Sequence, residues 1–162
     1  METAMPMNGR KPGPLLAGML ALLLMAGGAG AQQVPEPSML RATLNQGRIS
    51  AGQSVLTPDS ALDEAAQLAA QEGSSAAQLQ AFLAERHYVT TQIDVLSGTG
   101  NASALAVALS WQTDPAARRA LEDAGVEEIG TAAAPNPGAR GANDAFRWVA
   151  ILAKPRRDKK GP

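Results

Sequence analysis

The stretch that decides the fold is residues 145–154, which read AFRWVAILAK. In an extended chain, alternate residues point to opposite faces, so Phe146, Trp148 and Leu152 share one face. Val149 and Ile151 make the other face apolar as well. A strand that is apolar on both faces is typical of an inner strand that helices cover above and below. The stretch therefore predicts a central strand in a layered α/β fold.

Three helices are predicted upstream of this strand. Ser38 is expected to cap the first helix, which ends near Gly47. Thr57 and Pro58 are expected to start the second helix, with threonine as the cap and proline in the first turn, and Ser75 to start the third. The apolar faces of these helices consist of Leu40, Leu44, Leu62, Ala65, Ala66, Ala69, Leu79, Phe82 and Leu83. Because alanine supplies so much of these faces, close packing against a sheet is expected.

From Val89 onward, the spacing of apolar residues changes from a helical to an alternating pattern. Residues 89–95 alternate between apolar and polar positions, which predicts a strand. The GTGN sequence of residues 98–101 is interpreted as a turn in which Asn101 caps a fourth helix. An anion held by the free amides of this turn is the alternative. The expected inward face of that helix consists of Ala102, Leu105, Ala106 and Leu109.

The remaining pattern completes the layers. Asp114 and Pro115 predict a fifth helix that ends at Gly125, by the same cap and proline rule. A further strand is expected at residues 126–132 and a loop at residues 134–143. Helices on both sides of a small sheet predict an α/β fold of the three-layer α-β-α sandwich type.

The first 31 residues have the three parts of a secretory signal peptide. Arg10 and Lys11 precede an eleven-residue apolar run at residues 15–25, and residues 29–31 (AGA) fit a cleavage site. A membrane anchor is the alternative, but a spanning helix needs about 20 apolar residues. We therefore expect an exported protein, periplasmic or extracellular, with no integral membrane span after cleavage.

The expected organisation is a signal peptide at 1–31, a short linker at 32–37, one domain at 38–154 and a basic, disordered tail at 155–162. From Lys154 to Lys160 the chain carries five basic residues and one acidic residue. The formal net charge of the whole chain is only -1, which argues against nucleic acid as a partner. The absence of cysteine excludes disulfide frameworks and thiol nucleophiles, and a single histidine excludes multi-histidine metal sites.

Few residues are candidates for a catalytic or ligand-binding role. His87 is the single histidine, and it lies seven residues before Asp94, so the two could act together as a base and its orienting acid. A surface or packing role is the preferred interpretation of His87, because no orienting acid or nucleophile is adjacent to it in sequence. Trp111 and Trp148 are expected to anchor the core, with ligand stacking as the alternative for either. His87, Asp94 and Trp111 are the possible ligand contacts, and no residue is assigned a catalytic, metal-binding or cofactor-binding role.

Several segments, taken in order, resemble the CAP superfamily of cysteine-rich secretory, antigen-five and plant pathogenesis-related proteins. Residues 39–70 carry an asparagine, an arginine, a glycine and a leucine in the family's order. Residues 111–118 (WQTDPAAR) resemble a helix that ends in tryptophan before a proline turn and an arginine. Residues 128–132 and 146–153 resemble the family's last two strands. The matching positions in the first segment are Asn45, Arg48, Gly52, Leu56, Leu62 and Ala66.

The resemblance implies an α-β-α sandwich whose cavity usually carries two histidines and two acidic residues. Here Ala117 stands where one histidine is implied, and the region of Gly73, Ser74 and Ser75 stands where the other is implied. Asp94 is the nearest equivalent of a family glutamate. The chain is therefore interpreted as an exported, non-catalytic member that needs no cofactor. It would bind lipid, cell-wall polymer or another exported protein. The alternative is a weak hydrolase or other enzyme that uses His87 with Asp94.

Overall fold

The computed structural model describes residues 35–156, so the predicted signal peptide, residues 32–34 of the linker and residues 157–162 of the tail lie outside the described residues. The elements of the described part are α1 (Pro37–Ser50), β1 (Thr57–Pro58), α2 (Ser60–Glu72), α3 (Ala76–Glu85), β2 (Thr90–Gly100), α4 (Ala104–Thr113), α5 (Pro115–Glu122), β3 (Glu128–Pro135), a 3-10 turn (Ala142–Asp144) and β4 (Phe146–Pro155).

The sheet has four strands in the order β1-β3-β4-β2. β4 lies between β3 and β2 and is antiparallel to both, whereas the two-residue β1 pairs in parallel with β3. The prediction that residues 145–154 form a central strand is therefore confirmed.

Helices cover both faces of this sheet. α1, α4 and α5 pack with Trp148, Ala150 and Leu152 on one face, which we call the Trp148 face. α2 and α3 pack with Val149 and Ile151 on the other, which we call the Ile151 face. The predicted three-layer α-β-α sandwich is confirmed.

Small residues set the distance between α2 and the sheet. Four alanines of α2 are buried on the Ile151 face, and β3 carries Gly130 beneath the helix. A Cβ atom at Gly130 would lie 2.1 Å from the backbone carbonyl carbon of Leu62. The alanines of α2 therefore belong to an interface in which helix backbone approaches strand backbone directly.

Two predicted helix starts are wrong. α1 begins at Pro37, with Glu36 in the capping position, so Ser38 is not the cap, and the helix runs past Gly47 to Ser50. The second helix is capped by Asp59, whose side chain accepts hydrogen bonds from two backbone amides. Thr57 forms β1 instead, because its amide donates to the carbonyl oxygen of Glu127 at 3.0 Å. Tertiary pairing thus overrides the local cap and proline signal.

The predicted turn at residues 98–101 is also wrong. β2 continues through Gly98 and Gly100, and Ser103 caps α4 in place of Asn101. A Cβ atom at Gly100 would lie 2.8 Å from the Cγ2 atom of Val107, and one at Gly98 would lie 3.2 Å from the indole nitrogen of Trp111. These glycines therefore make room for α4 on the strand.

The predicted inward face of the fourth helix is wrong for the same reason. Leu105 and Leu109 are 57% and 50% exposed. α4 instead buries Ala104, Val107, Ala108 and Trp111 against the Trp148 face. The helix is apolar on several sides, so its own sequence does not select a face. The glycines of β2 do, because they admit the larger side chains.

The other boundaries differ by a few residues. α5 ends at Glu122, before the predicted Gly125, and β3 extends to Pro135, into the predicted loop. β4 extends to Pro155, and the amide of Arg156 donates to the carbonyl oxygen of Val89 at 2.7 Å. These two residues, assigned to the tail by the sequence, are therefore part of the folded domain.

Candidate functional site

Arg48 fastens the ends of two helices on the Trp148 face. Its side chain is 2% exposed, and its Nε donates to the carbonyl oxygen of Ser54 at 2.8 Å. Its Nη1 donates to the carbonyl oxygens of Leu121 and, at 3.1 Å, Asp123. Burial lowers the pKa of the guanidinium, and the nearby Asp123 carboxylate opposes that shift. Arg48 thus holds the C-terminal end of α1 against the end of α5.

Asn45, one helical turn before Arg48, also bonds α1 to a neighbouring backbone segment. Its side-chain nitrogen donates to the carbonyl oxygen of Leu56 at 3.0 Å, and its oxygen accepts from the amide of Leu56 at 2.8 Å. This pair of bonds imitates a strand pairing and fixes the segment that leads into β1. Asn45 and Arg48, which the resemblance singled out, are therefore framework residues.

An open cleft of about 410 Å³ lies between α1 and the α4–α5 pair. Leu44 and Leu121 form its buried floor. The side chain of Gln112 reaches α1 at Gly47, because a Cβ atom there would lie 2.4 Å from the Gln112 side-chain nitrogen and the amide would have to shift. The complete lining is Thr43, Leu44, Gln46, Gly47, Arg48, Ser50, Ala51, Gln112, Arg118, Leu121 and Glu122. We call this space the α1–α5 cleft.

The α1–α5 cleft offers hydrogen-bonding groups that the described residues leave unused. Within residues 35–156, neither the side-chain amide of Gln46 nor that of Gln112 takes part in a hydrogen bond. At the rim, the Nε of Arg118 lies 3.9 Å from a carboxylate oxygen of Glu122, and both side chains are about half exposed. The cleft can therefore present amide donors and acceptors together with one charge of each sign.

A second cluster of polar side chains, formed by Gln92, Asp94 and Asp123, lies at the edge of the Trp148 face. The Gln92 side chain donates to the carboxylates of Asp94 at 2.9 Å and Asp123 at 2.7 Å. The hydrogen bond from Gln92, followed by one from the amide of Gly125, lowers the pKa of Asp123. Neutral donors thus hold both carboxylates. Among the described residues, no group of three acidic or histidine side chains is able to hold a metal ion.

His87 lies just after the C-terminal end of α3, in the turn that ends the helix. The amide of His87 donates to the carbonyl oxygen of Ala84, and that of Tyr88 donates to Leu83, which is the Schellman pattern that ends a helix. His87 therefore has the left-handed conformation, with φ of 58°, at a position where glycine is usual. Its side chain is exposed. The sequence offered no signal for this role, because the usual glycine is missing.

The sheet separates His87 from Asp94. α3, which ends beside His87, packs on the Ile151 face. Asp94 is paired with Leu152 and shares the Trp148 face with it, because paired residues of neighbouring strands point the same way. No hydrogen bond or ion pair connects His87 to Asp94 in the described part of the chain. The structure does not bring these two sequence candidates together.

Trp111 and Trp148 lie in the core, as the sequence predicts. Trp148 is fully buried, and its indole nitrogen donates to the carbonyl oxygen of Asn101 at 2.9 Å. Trp111 is 6% exposed and its ring packs over Gly98. Its contacts are those of an anchor between α4 and β2.

The positions at which the resemblance implies histidines have other roles here. Ala117 is 8% exposed and belongs to the apolar core of the Trp148 face. Gly73 ends α2 with φ of 72°, and Ser75 caps α3 through a capping box with Gln78. These residues supply helix ends and packing, and none of them offers a group that titrates near neutral pH.

The α1–α5 cleft is the feature that sequence reasoning missed. Its lining comes from three helices, and Gln46 and Gln112 lie 66 positions apart in the chain. The one available signal was Gly47, a glycine in the interior of a helix, where it costs about 1 kcal/mol relative to alanine. Such a glycine indicates close approach by another group.

Solved bacterial structures share this fold. A cysteine-rich secretory protein from Staphylococcus aureus matches with a TM-score of 0.60 at 19% identity, over 73% of this chain and 38% of its own. An extracellular protein with an SCP domain from Bacillus anthracis matches with a TM-score of 0.55 at 12% identity, over 72% of this chain and 39% of its own. This chain therefore spans under two fifths of either protein.

An outer surface protein from Borrelia burgdorferi matches with a TM-score of 0.52 at 13% identity, over 74% of this chain and 92% of its own. No curated protein matches by sequence. The sequence model of the cysteine-rich secretory protein family, CAP, matches residues 41–152. Since that match covers most of the chain and reaches from α1 into β4, the protein belongs to the CAP family.

Proposed function

We propose that this protein is an exported, non-catalytic binding module that takes its ligand in the α1–α5 cleft. The observation that carries the proposal is the pair of unengaged amides, Gln46 and Gln112, that line an open cleft of about 410 Å³. Membership of the CAP family supports it, since that family is not defined by an enzymatic activity. The export signal predicted at residues 1–31 and the extracellular or surface proteins of the same fold support the location.

Cell-wall polymer is the ligand class that this lining favours. Each side-chain amide offers donors and an acceptor, and Arg118 and Glu122 add one charge of each sign. A polymer rich in hydroxyl, amide and carboxylate groups can pair with these amides and charges at the rim while its sugar rings cover the apolar floor of Leu44 and Leu121. An acyl chain, by contrast, would cover the floor and leave the amides unpaired. Lipid and another exported protein are the other ligand classes, and the experiment below distinguishes them.

The test is a binding comparison with purified protein. Insoluble wall fragments, vesicles of cell lipid and immobilised exported proteins from the host are each incubated with the chain. We expect retention on wall fragments alone, and a reduction of at least about tenfold in affinity for the Gln46→Leu and Gln112→Leu double variant. Gln80→Leu, on exposed α3, is the matched control and should bind as the parent does. Equal binding by parent and double variant, or retention only on lipid, overturns the proposal.

The weak hydrolase is a separate hypothesis with a separate test. It needs His87 and Asp94 in one site, and no described contact joins them. If a hydrolytic activity accompanies the purified protein, His87→Ala should leave it unchanged. A loss of that activity with retained fold would favour the hydrolase.

A further inference from the structure

The two edges of the sheet are treated differently. At the β3 edge, β1 covers the first residues, and the carboxylate of Asp63 then accepts from the amide of Thr131 at 2.7 Å. Arg41 holds that carboxylate at 3.0 Å, and the hydroxyl of Thr131 donates to the carbonyl oxygen of Pro37. Side chains thus occupy the edge where β1 ends.

The opposite edge, along β2, carries unpaired backbone groups. The carbonyl oxygen of Ala153 accepts from the amide of Glu127, so it points toward β3. Its neighbour Leu152 therefore points toward β2, where it is paired with Asp94. Successive residues alternate, so the N–H and C=O groups of β2 that point away from the sheet are those of Ile93, Val95, Ser97 and Thr99. Within residues 35–156 no strand pairs with this edge.

β2 carries few of the features that usually prevent pairing between edges: a bulge lies only at its start, between Thr90 and Gln92, and one charged residue points inward. It is eleven residues long and contains no proline, lysine or arginine. Its one charged residue, Asp94, faces the Trp148 layer and accepts a hydrogen bond from Gln92. On the Ile151 face, Ile93 and Val95 are only half-buried. The edge therefore offers both backbone hydrogen bonds and apolar side chains to an additional strand.

We infer that the occupant of this edge is β2 of a second copy, antiparallel, with a two-fold axis at Val95. This register places Val95 opposite its counterpart and Ile93 opposite Ser97, and three such pairs exchange about six backbone hydrogen bonds. A two-fold axis at Asp94 would set the two carboxylates directly opposite each other, which is unfavourable. The self-matching register thus keeps like charges apart and joins two four-stranded sheets. This inference does not depend on the proposed ligand.

The chain contains no cysteine, so single cysteines can report the register. Protein purified from its own host is examined by sedimentation at a series of concentrations and by a thiol cross-linker of about 8 Å, which can span paired residues whose Cα atoms lie about 5.5 Å apart. We expect a dimer that Val95→Cys links readily. Thr113→Cys, at the exposed end of α4, is the control and should not be linked. Ile93→Cys mixed with Ser97→Cys should link better than either alone.

Ser97→Pro tests the hydrogen bonds directly, because the amide of Ser97 points outward and is not needed for pairing with β4. We expect its dimer dissociation constant to rise at least about tenfold, with circular dichroism unchanged. Ser97→Val keeps the amide and should dimerise as the parent does. A monomer at about 100 μM, a dimer that Ser97→Pro leaves intact, or cross-linking that does not centre on Val95 overturns the inference.

Discussion

At the scale of single residues, Asn45 and Arg48, two positions that the resemblance singled out, hold neighbouring segments of the chain together. Asn45 holds the segment before β1 through the oxygen and the nitrogen of its side-chain amide. Arg48 holds three carbonyl oxygens, one in the loop after α1 and two at the end of α5. A buried cation needs such a full set of acceptors, because burying an unpaired charge is costly. The conspicuous polar residues of α1 therefore serve the fold.

Removing Arg48 should show this directly. Arg48→Met keeps the apolar stem but leaves the carbonyl oxygens of Ser54, Leu121 and Asp123 without their donor. We expect the free energy of unfolding to fall by about 2–4 kcal/mol, measured by urea denaturation. The control is Arg140→Met, whose exposed side chain has no partner among the described residues, and its change should stay within about 0.5 kcal/mol. Equal effects of the two variants would contradict the role given to Arg48.

For His87 we expect the opposite result, a gain in stability when the residue is replaced by glycine. A left-handed conformation strains any residue with a Cβ atom, so His87→Gly should stabilise the protein by about 0.5–1 kcal/mol, even though glycine is more flexible in the unfolded chain. Glu85→Gly, two residues earlier in helical conformation, should instead destabilise it by about 1 kcal/mol. Thermal and urea unfolding measure both. Destabilisation by His87→Gly would show that the imidazole contributes more than the backbone strain costs.

At the scale of elements, glycines in strands decide how the helices pack. Gly98 and Gly100 admit α4 to the Trp148 face, and Gly130 admits α2 to the Ile151 face. In each case the missing Cβ atom lets a helix approach more closely than leucine or valine would allow. The strands thus select which faces of the helices become buried.

Gly130→Ala tests that statement where the contact is backbone. The added methyl group would meet the Leu62 carbonyl carbon at 2.1 Å and the next amide nitrogen at 2.4 Å. Neither can move without shifting α2, so we expect a loss of about 3 kcal/mol in the free energy of unfolding. Gly141→Ala, where no atom lies within 4 Å, should change it by less than about 0.5 kcal/mol. Similar stabilities for the two variants would show that α2 moves freely on the sheet.

At the scale of the whole domain, local patterns predicted the layers and tertiary contacts decided the details. The two apolar faces of β4 and the caps at Ser75 and Asp114 lie within short stretches of sequence, so they could be predicted. The inward face of α4 could not, because the glycines of a different strand determine it. Likewise, Ala117 indicated a changed family position, whereas the α1–α5 cleft exists only once three helices meet.

One contact joins the α3–β2 corner to β3 across the end of the central strand. The hydroxyl of Tyr88 donates to a carboxylate oxygen of Glu128 at 2.6 Å, and Glu128 is paired with Ala153 of β4. Burial raises the pKa of Tyr88, and the hydrogen bond to Glu128 raises it further. Since the folded pKa exceeds the unfolded value of about 10, this contribution to stability is complete below pH 10 and is lost as the pH rises through the folded pKa.

Tyr88 is the chain's single tyrosine, so its tyrosinate absorbance reports this group alone. We expect no ionisation at pH 10 in the folded protein, and at higher pH we expect ionisation to appear together with the loss of helical circular dichroism. Glu128→Gln removes the anionic acceptor but keeps the burial, so it should lower the pH of ionisation without restoring the free value. Ionisation near pH 10 with the circular dichroism intact would contradict this link, because the phenol would then titrate without opening the contact between α3, β4 and β3.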